Sequence, residues 1–193
     1  NLVATDQMPD TPTNNFCTIN PLFKSANTPT YSEGNLKFYT GSGSEYQGIL
    51  GTFPMVSGKW YWETYCIELS TNDFVGIIST DVLDDANNLM SFTGAISYFS
   101  ETGIKRIDGV DSAYGAAYGN GDIVSTALNM DDSEVTFYKN GSTQGTFSLS
   151  GGITTASSVV AMNVFYGDDT GFYNFGQDSS FAGALTAQGN QDD

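Results

Sequence analysis

The run Lys59-Trp60-Tyr61-Trp62-Glu63-Thr64-Tyr65-Cys66-Ile67-Glu68-Leu69 constrains this chain more than any other segment. It is dense in aromatic and β-branched residues, has strand length, and shows no helical spacing of apolar positions, so it reads as a β-strand. Alternation puts Trp60, Trp62, Thr64 and Cys66 on one face and Tyr61, Glu63, Tyr65 and Ile67 on the other. The face without a charge is expected to meet the core.

Further strands follow from the same pattern. Residues 123–130 alternate with Val124, Thr126, Leu128 and Met130 on one side; Asp131-Asp132-Ser133 makes a turn, and Val135 and Phe137 resume the apolar face on the way back. Asn140-Gly141 marks a second hairpin, because both residues accept the positive φ that a type I′ turn requires. Candidate strands also span 34–40, 47–53, 73–79, 94–99, 103–107, 145–149, 159–166 and 171–176, with turn residues between them. Asp81 to Asn88 could form one helical turn, too short to change the class. Many short strands with regular turns predict an all-β antiparallel sandwich or barrel. One domain is expected over 13–181, with 1–12 as a linker or arm and 182–193 as a polar tail. The absence of an initiator Met and the polar run Gly189-Asn190-Gln191-Asp192-Asp193 read as a segment of a longer polypeptide.

Charge narrows the function. The 193 residues carry 6 Lys plus Arg against 22 Asp plus Glu, a net charge of −16, which should repel phosphate backbones and argues against nucleic-acid binding. Without histidine there is no Ser-His or Cys-His nucleophile pair and no neutral imidazole for zinc. The cations are scattered apart from Lys105-Arg106, so no basic patch awaits an anionic lipid surface, and no apolar run approaches the roughly 20 residues of a membrane span. Cys17 and Cys66 permit one disulfide that a domain of this size does not need; Cys66, on the Trp62 face, reads as a small buried hydrophobe.

Six strings, in order, resemble one family. Gly58-Lys59-Trp60-Tyr61-Trp62-Glu63 is similar to the strand motif of SPRY domains, and Phe74-Val75-Gly76-Ile77 to the strand that follows. Tyr114-Gly115-Ala116-Ala117-Tyr118-Gly119-Asn120-Gly121-Asp122 resembles the family's Tyr-Gly, aromatic, Gly-Asp run. The Leu128 to Met130 strand, the Phe137-Tyr138-Lys139-Asn140-Gly141 hairpin and a closing Tyr173-Asn174-Phe175-Gly176 complete the series. The resemblance covers roughly 31–177. Upstream, 13–22 resembles the lead-in to SPRY-like modules of phage structural proteins. It implies a bent antiparallel β-sandwich of concanavalin-like topology, and a non-catalytic role in which loops at one edge read a partner. The loops at 40–46, 80–93 and 100–113 match no peptide-binding member, so ligand residues do not carry over.

Side-chain chemistry supports the same expectation. The paired carboxylate strand of sandwich glycosidases is absent, and Glu63 and Glu134 read as structural or solvated, so no catalytic residue is expected. Acidic turns could take Ca²⁺, with Asp81, Asp84 and Asp85 as weak ligand candidates beside Asp131-Asp132 and Asp168-Asp169, but Asp and Asn also favour turns without any metal. No cofactor is otherwise implied. Trp62, Phe137, Tyr173 and Phe175 read as core. The candidate binding residues are Tyr46, Phe92 and Tyr166, aromatic and near strand ends or loops, and the Lys105-Arg106 pair.

The expected role is therefore an interaction module of a virion or extracellular assembly, a phage fibre or decoration protein. Its partner would be a protein or glycan on a host surface, or another virion subunit, with homo-oligomerisation as part of a fibre. A lectin-like or carbohydrate-cleaving sandwich and a purely architectural spacer stand as alternatives.

Overall fold

A computed structural model describes residues 15–23, 29–41, 44–83, 89 and 93–187. The alternating runs form thirteen strands among these residues. They are β1 (Thr30–Ser32), β2 (Lys37–Tyr39), β3 (Tyr46–Leu50), β4 (Lys59–Glu68), β5 (Thr71–Ser79), β6 (Ala95–Phe99) and β7 (Lys105–Ile107), then β8 (Val110–Ser112), β9 (Ile123–Asn129), β10 (Glu134–Lys139), β11 (Ser142–Ser148), β12 (Val159–Tyr166) and β13 (Thr170–Asn174). They pair antiparallel into a seven-stranded sheet, β1-β2-β13-β4-β9-β10-β11, and a six-stranded sheet, β3-β12-β5-β6-β7-β8. The fold is an all-β antiparallel sandwich. The short strands β1 and β8 lack a full alternating run, and sequence reasoning missed both. Between 81 and 88 only a 3₁₀ turn at Thr80–Val82 is described.

The inner faces interdigitate as a single apolar layer. Trp62, Val124, Leu128 and Phe137 from one sheet meet Ile49, Val75, Ile77 and Phe165 from the other. A hydrogen bond from Asn163 Nδ2 to Thr64 Oγ1, 3.2 Å, crosses this layer. The six-stranded sheet is also covered on its outer face, where Leu50, Phe74, Ile78, Met162 and Val164 pack with Leu89 and Phe23. Burial on both faces explains why Phe74–Ile78 and Val159–Phe165 are near-continuous apolar runs rather than alternating ones. Gly76 belongs to this tight packing: a Cβ there would run into the Ile96 carbonyl oxygen and come within 2.8 Å of Ser97 Cα.

Two expectations for β4 need correction. Trp60, read as core, is 38% exposed, because it starts the strand beside an open cleft. Glu63, read as structural or solvated and lying opposite the face expected to meet the core, is buried. The segment after β13 covers that face, where Phe181 is buried with its ring 5.5 Å from that of Tyr65, and Asn174 at the end of β13, paired with Glu63, donates from Nδ2 to Glu63 Oε2 at 3.0 Å. Cys17 and Cys66 are both buried free thiols, so the disulfide the sequence permitted does not form. Among the described residues no helix is long and apolar enough to cross a membrane.

Candidate functional site

The register of β3 on β12 sets Tyr46 opposite Tyr166, with ring centroids 5.0 Å apart. On the same outer face Arg106 of β7 lays its guanidinium 4.8 Å from the Phe74 ring, and Phe74 stacks on Phe99 at 4.6 Å. Arg106 also forks onto Asp111 of β8, with contacts of 2.6 and 2.9 Å. The Asp111 hydrogen bond raises Arg106 further, and the guanidinium in turn holds the Asp111 carboxyl below its ordinary value. The structure thus brings Tyr46, Tyr166 and Arg106 together but leaves the cation largely neutralised.

Lys105 does not join them. As Arg106's neighbour in a strand it points to the other face, where its Nζ sits 4.0 Å from the Phe147 ring and 5.6 Å from that of Tyr114. Phe92 lies outside the described residues, as do Asp84 and Asp85. Asp81 has structural work: Oδ2 accepts from Ser157 N at 2.8 Å, and its own N–H caps onto Ser79 Oγ. Asp131 accepts from Gly58 N at 2.7 Å, and Asp132 from Asn129 Nδ2 at 2.7 Å. Among the described residues no three His, Cys, Asp or Glu side chains converge as a metal would require.

Sequence reasoning missed a second surface at the start of β4. Val56, Trp60 and Tyr61 are 66, 38 and 46% exposed, three of the exposed large apolar side chains among the described residues and all within one short stretch of chain. Both rings are held from behind. Trp60 Nε1 donates to Ser57 O at 2.8 Å, and Tyr61 Oη donates to Glu63 Oε1 at 2.8 Å. Burial, with Glu63 adding, pushes the Tyr61 hydroxyl up to about 12, so it stays a donor at any working pH. On one side of the pair lies a cleft of about 290 Å³ lined by Phe16, Cys17, Phe53, Met55, Trp62 and Phe175. On the other is a hollow of about 360 Å³ bordered by Ala127, Asn129, Glu134, Thr136 and Thr146. The only cation at this rim among the described residues, Lys59, makes a loose 3.9 Å pair with Asp132. The missed signal was positional: a tryptophan one residue into a strand, right after the Ser57-Gly58 turn, has fewer neighbours to bury it.

The arrangement of the two sheets decides the fold family. Over 80% of this chain, the structure superposes on the SPRY domain of human HERC1 with a TM-score of 0.63 and 20% identity, covering 94% of that chain. The TRIM65 PSpry domain gives 0.66 at 12% identity, covering 83% of this chain and 90% of that one; a further human SPRY domain gives 0.60 at 11%, covering 81% and 96%. The fold is that of a SPRY domain. No protein-family model and no curated protein sequence matches the chain.

Within this SPRY fold the strings singled out in the sequence hold one another. The strand glutamate, Glu63, binds Asn174 of the closing string. Asp122 joins the Gly-Asp string to the Asn140-Gly141 hairpin: Asn140 Nδ2 donates to Asp122 Oδ1 at 2.7 Å and Lys139 Nζ lies 3.1 Å from Oδ2. Burial would raise the Asp122 carboxyl, but these bonds and one from Gly119 N outweigh it and leave it lowered. Tyr114 Oη donates to Gly145 O and accepts from Phe137 N, filling the irregularity where β10 slips against β11.

Proposed function

We propose that this SPRY-fold domain is a non-catalytic interaction module that docks a segment of a protein partner across the Trp60–Tyr61 cleft. One observation carries the reading: two aromatic rings, each fixed by its own polar atom, stand exposed beside a cleft of about 290 Å³. Rigid amphipathic rings lose little entropy on contact, which makes them effective anchors. The general role of SPRY domains in protein interaction supports the reading, as does the fate of the strand carboxylate, since Tyr61 and Asn174 occupy both Glu63 oxygens. With Glu134 at the rim, Asp131 and Asp132 beside it on Gly58 and Lys59, and a net charge of −16, the segment it takes is neutral or basic and presents a bulky apolar side chain.

The finer setting is a virion or extracellular assembly, where the domain is displayed on a phage fibre or decoration protein and meets a host surface. The phage-like string at 13–22 and the charge, which keeps a displayed module soluble, support it. The test is a random peptide library panned on the domain, with Trp60→Ala and Tyr61→Ala variants as counter-selection. Enriched peptides should be basic and aromatic or aliphatic, and should lose about thirtyfold in affinity on either variant. Peptides that bind both variants unchanged overturn the cleft as the site.

A second reading has its own observation. Trp60 and Tyr61 are bordered by Asn129, Asp131 and Asp132, a composition suited to stacking and hydrogen-bonding a sugar. A glycan array gives signal lost on Trp60→Ala if that reading holds.

A further inference from the structure

We propose that Asp73 is a proton-operated latch for the Tyr46–Tyr166 end of the sandwich: uncharged it holds Tyr166 in register, and ionised it loosens that end. The device lies at the far end of β4 from the Trp60–Tyr61 cleft and does not depend on it.

The geometry begins with a slip in the ladder. β12 and β5 lose register between Val164 and Tyr166, so the Tyr166 N–H finds its acceptor in a side chain, Asp73 Oδ1, at 3.2 Å. The Tyr166 carbonyl oxygen lies 2.6 Å from Ser70 Oγ, which is also 2.9 Å from Asp169 Oδ1; Ser70 N donates to that oxygen at 2.6 Å. Asp169 N donates to Thr40 Oγ1 at 2.9 Å. Both backbone groups of Tyr166 are therefore held by a network built on two acidic side chains, Asp73 directly and Asp169 through Ser70.

Both carboxyls are buried, Asp73 at 1% and Asp169 at 0% exposure, and Asp73 Oδ2 meets no hydrogen-bonding group among the described residues. None of the ion pairs among the described residues involves Asp73. The titratable groups around it offer no compensation. Asp169 of the β12–β13 turn and Glu101 after β6 repel a charge, while Cys66 of β4, Tyr118 before β9 and Tyr46 of β3, each raised chiefly by its own burial, are raised a little further by Asp73. Two buried carboxylates without a cation cannot both ionise cheaply.

Burial, then the charge of Asp169, push Asp73 up to about 8 against an opposing bond from Tyr166 N. Because the folded value lies above the unfolded one, the folded state holds the extra proton between about pH 4 and about pH 8. Stability from this group therefore falls as pH rises through that window and levels off above it. Tyr166 carries the ring that packs on Tyr46, so the same proton governs the aromatic pair beside Arg106.

The test follows the Asp73 carboxyl carbon by NMR and the Tyr166 amide by hydrogen exchange, corrected for the intrinsic rate, from about pH 5 to about pH 10. Asp73 should titrate well above ordinary carboxylates, and Tyr166 protection should drop about tenfold or more across its midpoint. Asp73→Asn should abolish that drop. Asp169→Asn, a second variant should the first not fold, should lower the Asp73 midpoint. An Asp73 midpoint in the ordinary carboxylate range, a Tyr166 protection profile unchanged in Asp73→Asn, or an Asp73 midpoint unmoved by Asp169→Asn overturns the latch.

Discussion

Strand β4 ends in two very different surfaces. At its start Trp60 and Tyr61 face solvent and are fixed by neutral donors onto Ser57 and Glu63. Beyond its other end the buried Asp73 and Asp169 form an acidic knot, with the exposed Ser70 bonded to Asp169 at its edge and, among the described residues, no cation paired to Asp73. The first surface is built from two fixed rings; the second trades stability for sensitivity to protons. One strand can carry both because its middle, Trp62 to Cys66, is pinned in the core.

The contrast is most easily broken inside the strand itself. Trp62→Ala should cost about 3–5 kcal/mol in chemical denaturation, since it empties the core between the sheets, whereas Trp60→Ala should cost less than about 1 kcal/mol and act on binding instead. Equal losses at the two tryptophans would erase the distinction between anchor and core. Asp73→Asn ranks next, with a gain in stability at about pH 9 that shrinks to nothing near pH 4; a denaturation series across pH measures it.

Asp122, hydrogen-bonded through Asn140 and Lys139 near the acidic knot, has the opposite sign. Its folded value is lowered, so its contribution is present above the ordinary carboxylate value and lost as pH falls below it. Asp122→Asn should remove about 1 kcal/mol at neutral pH and change little in acid, read from the same series. Smallest is Lys59→Ala at the cleft rim: its exposed 3.9 Å pair with Asp132 should be worth less than about 0.5 kcal/mol in stability.

Strands with a clear period were legible. β4, β9, β10 and β12 appear within a residue or two of their expected limits, and Asn140 and Gly141 both take the positive φ that the hairpin demanded. The surfaces were less so, because exposure depends on what packs across a residue rather than on the residue. Trp60 and Trp62 share one face and one chemistry, yet only the second lies under the opposing sheet. Glu63 read as structural or solvated, and nothing local chooses between the two: Asn174, more than a hundred positions away, pairs with it across the strands, and Phe181 covers the same face. Tyr46, Tyr166 and Arg106 were singled out separately; only the pairing of β3 on β12 makes the two tyrosines neighbours. The Lys105-Arg106 doublet failed as a unit for a reason visible in any strand, since adjacent side chains point to opposite faces.

The two unbridged cysteines give the domain an internal clock. Burial pushes both thiols up, leaving almost no thiolate to react while the sandwich is closed. Cys66 sits between the sheets, so an alkylating reagent should reach it only when they part, and Cys17 flanks the cleft, where a docked segment should shield it. Labelling rates at the two sulfurs would time global opening and local occupancy separately in one unmodified chain.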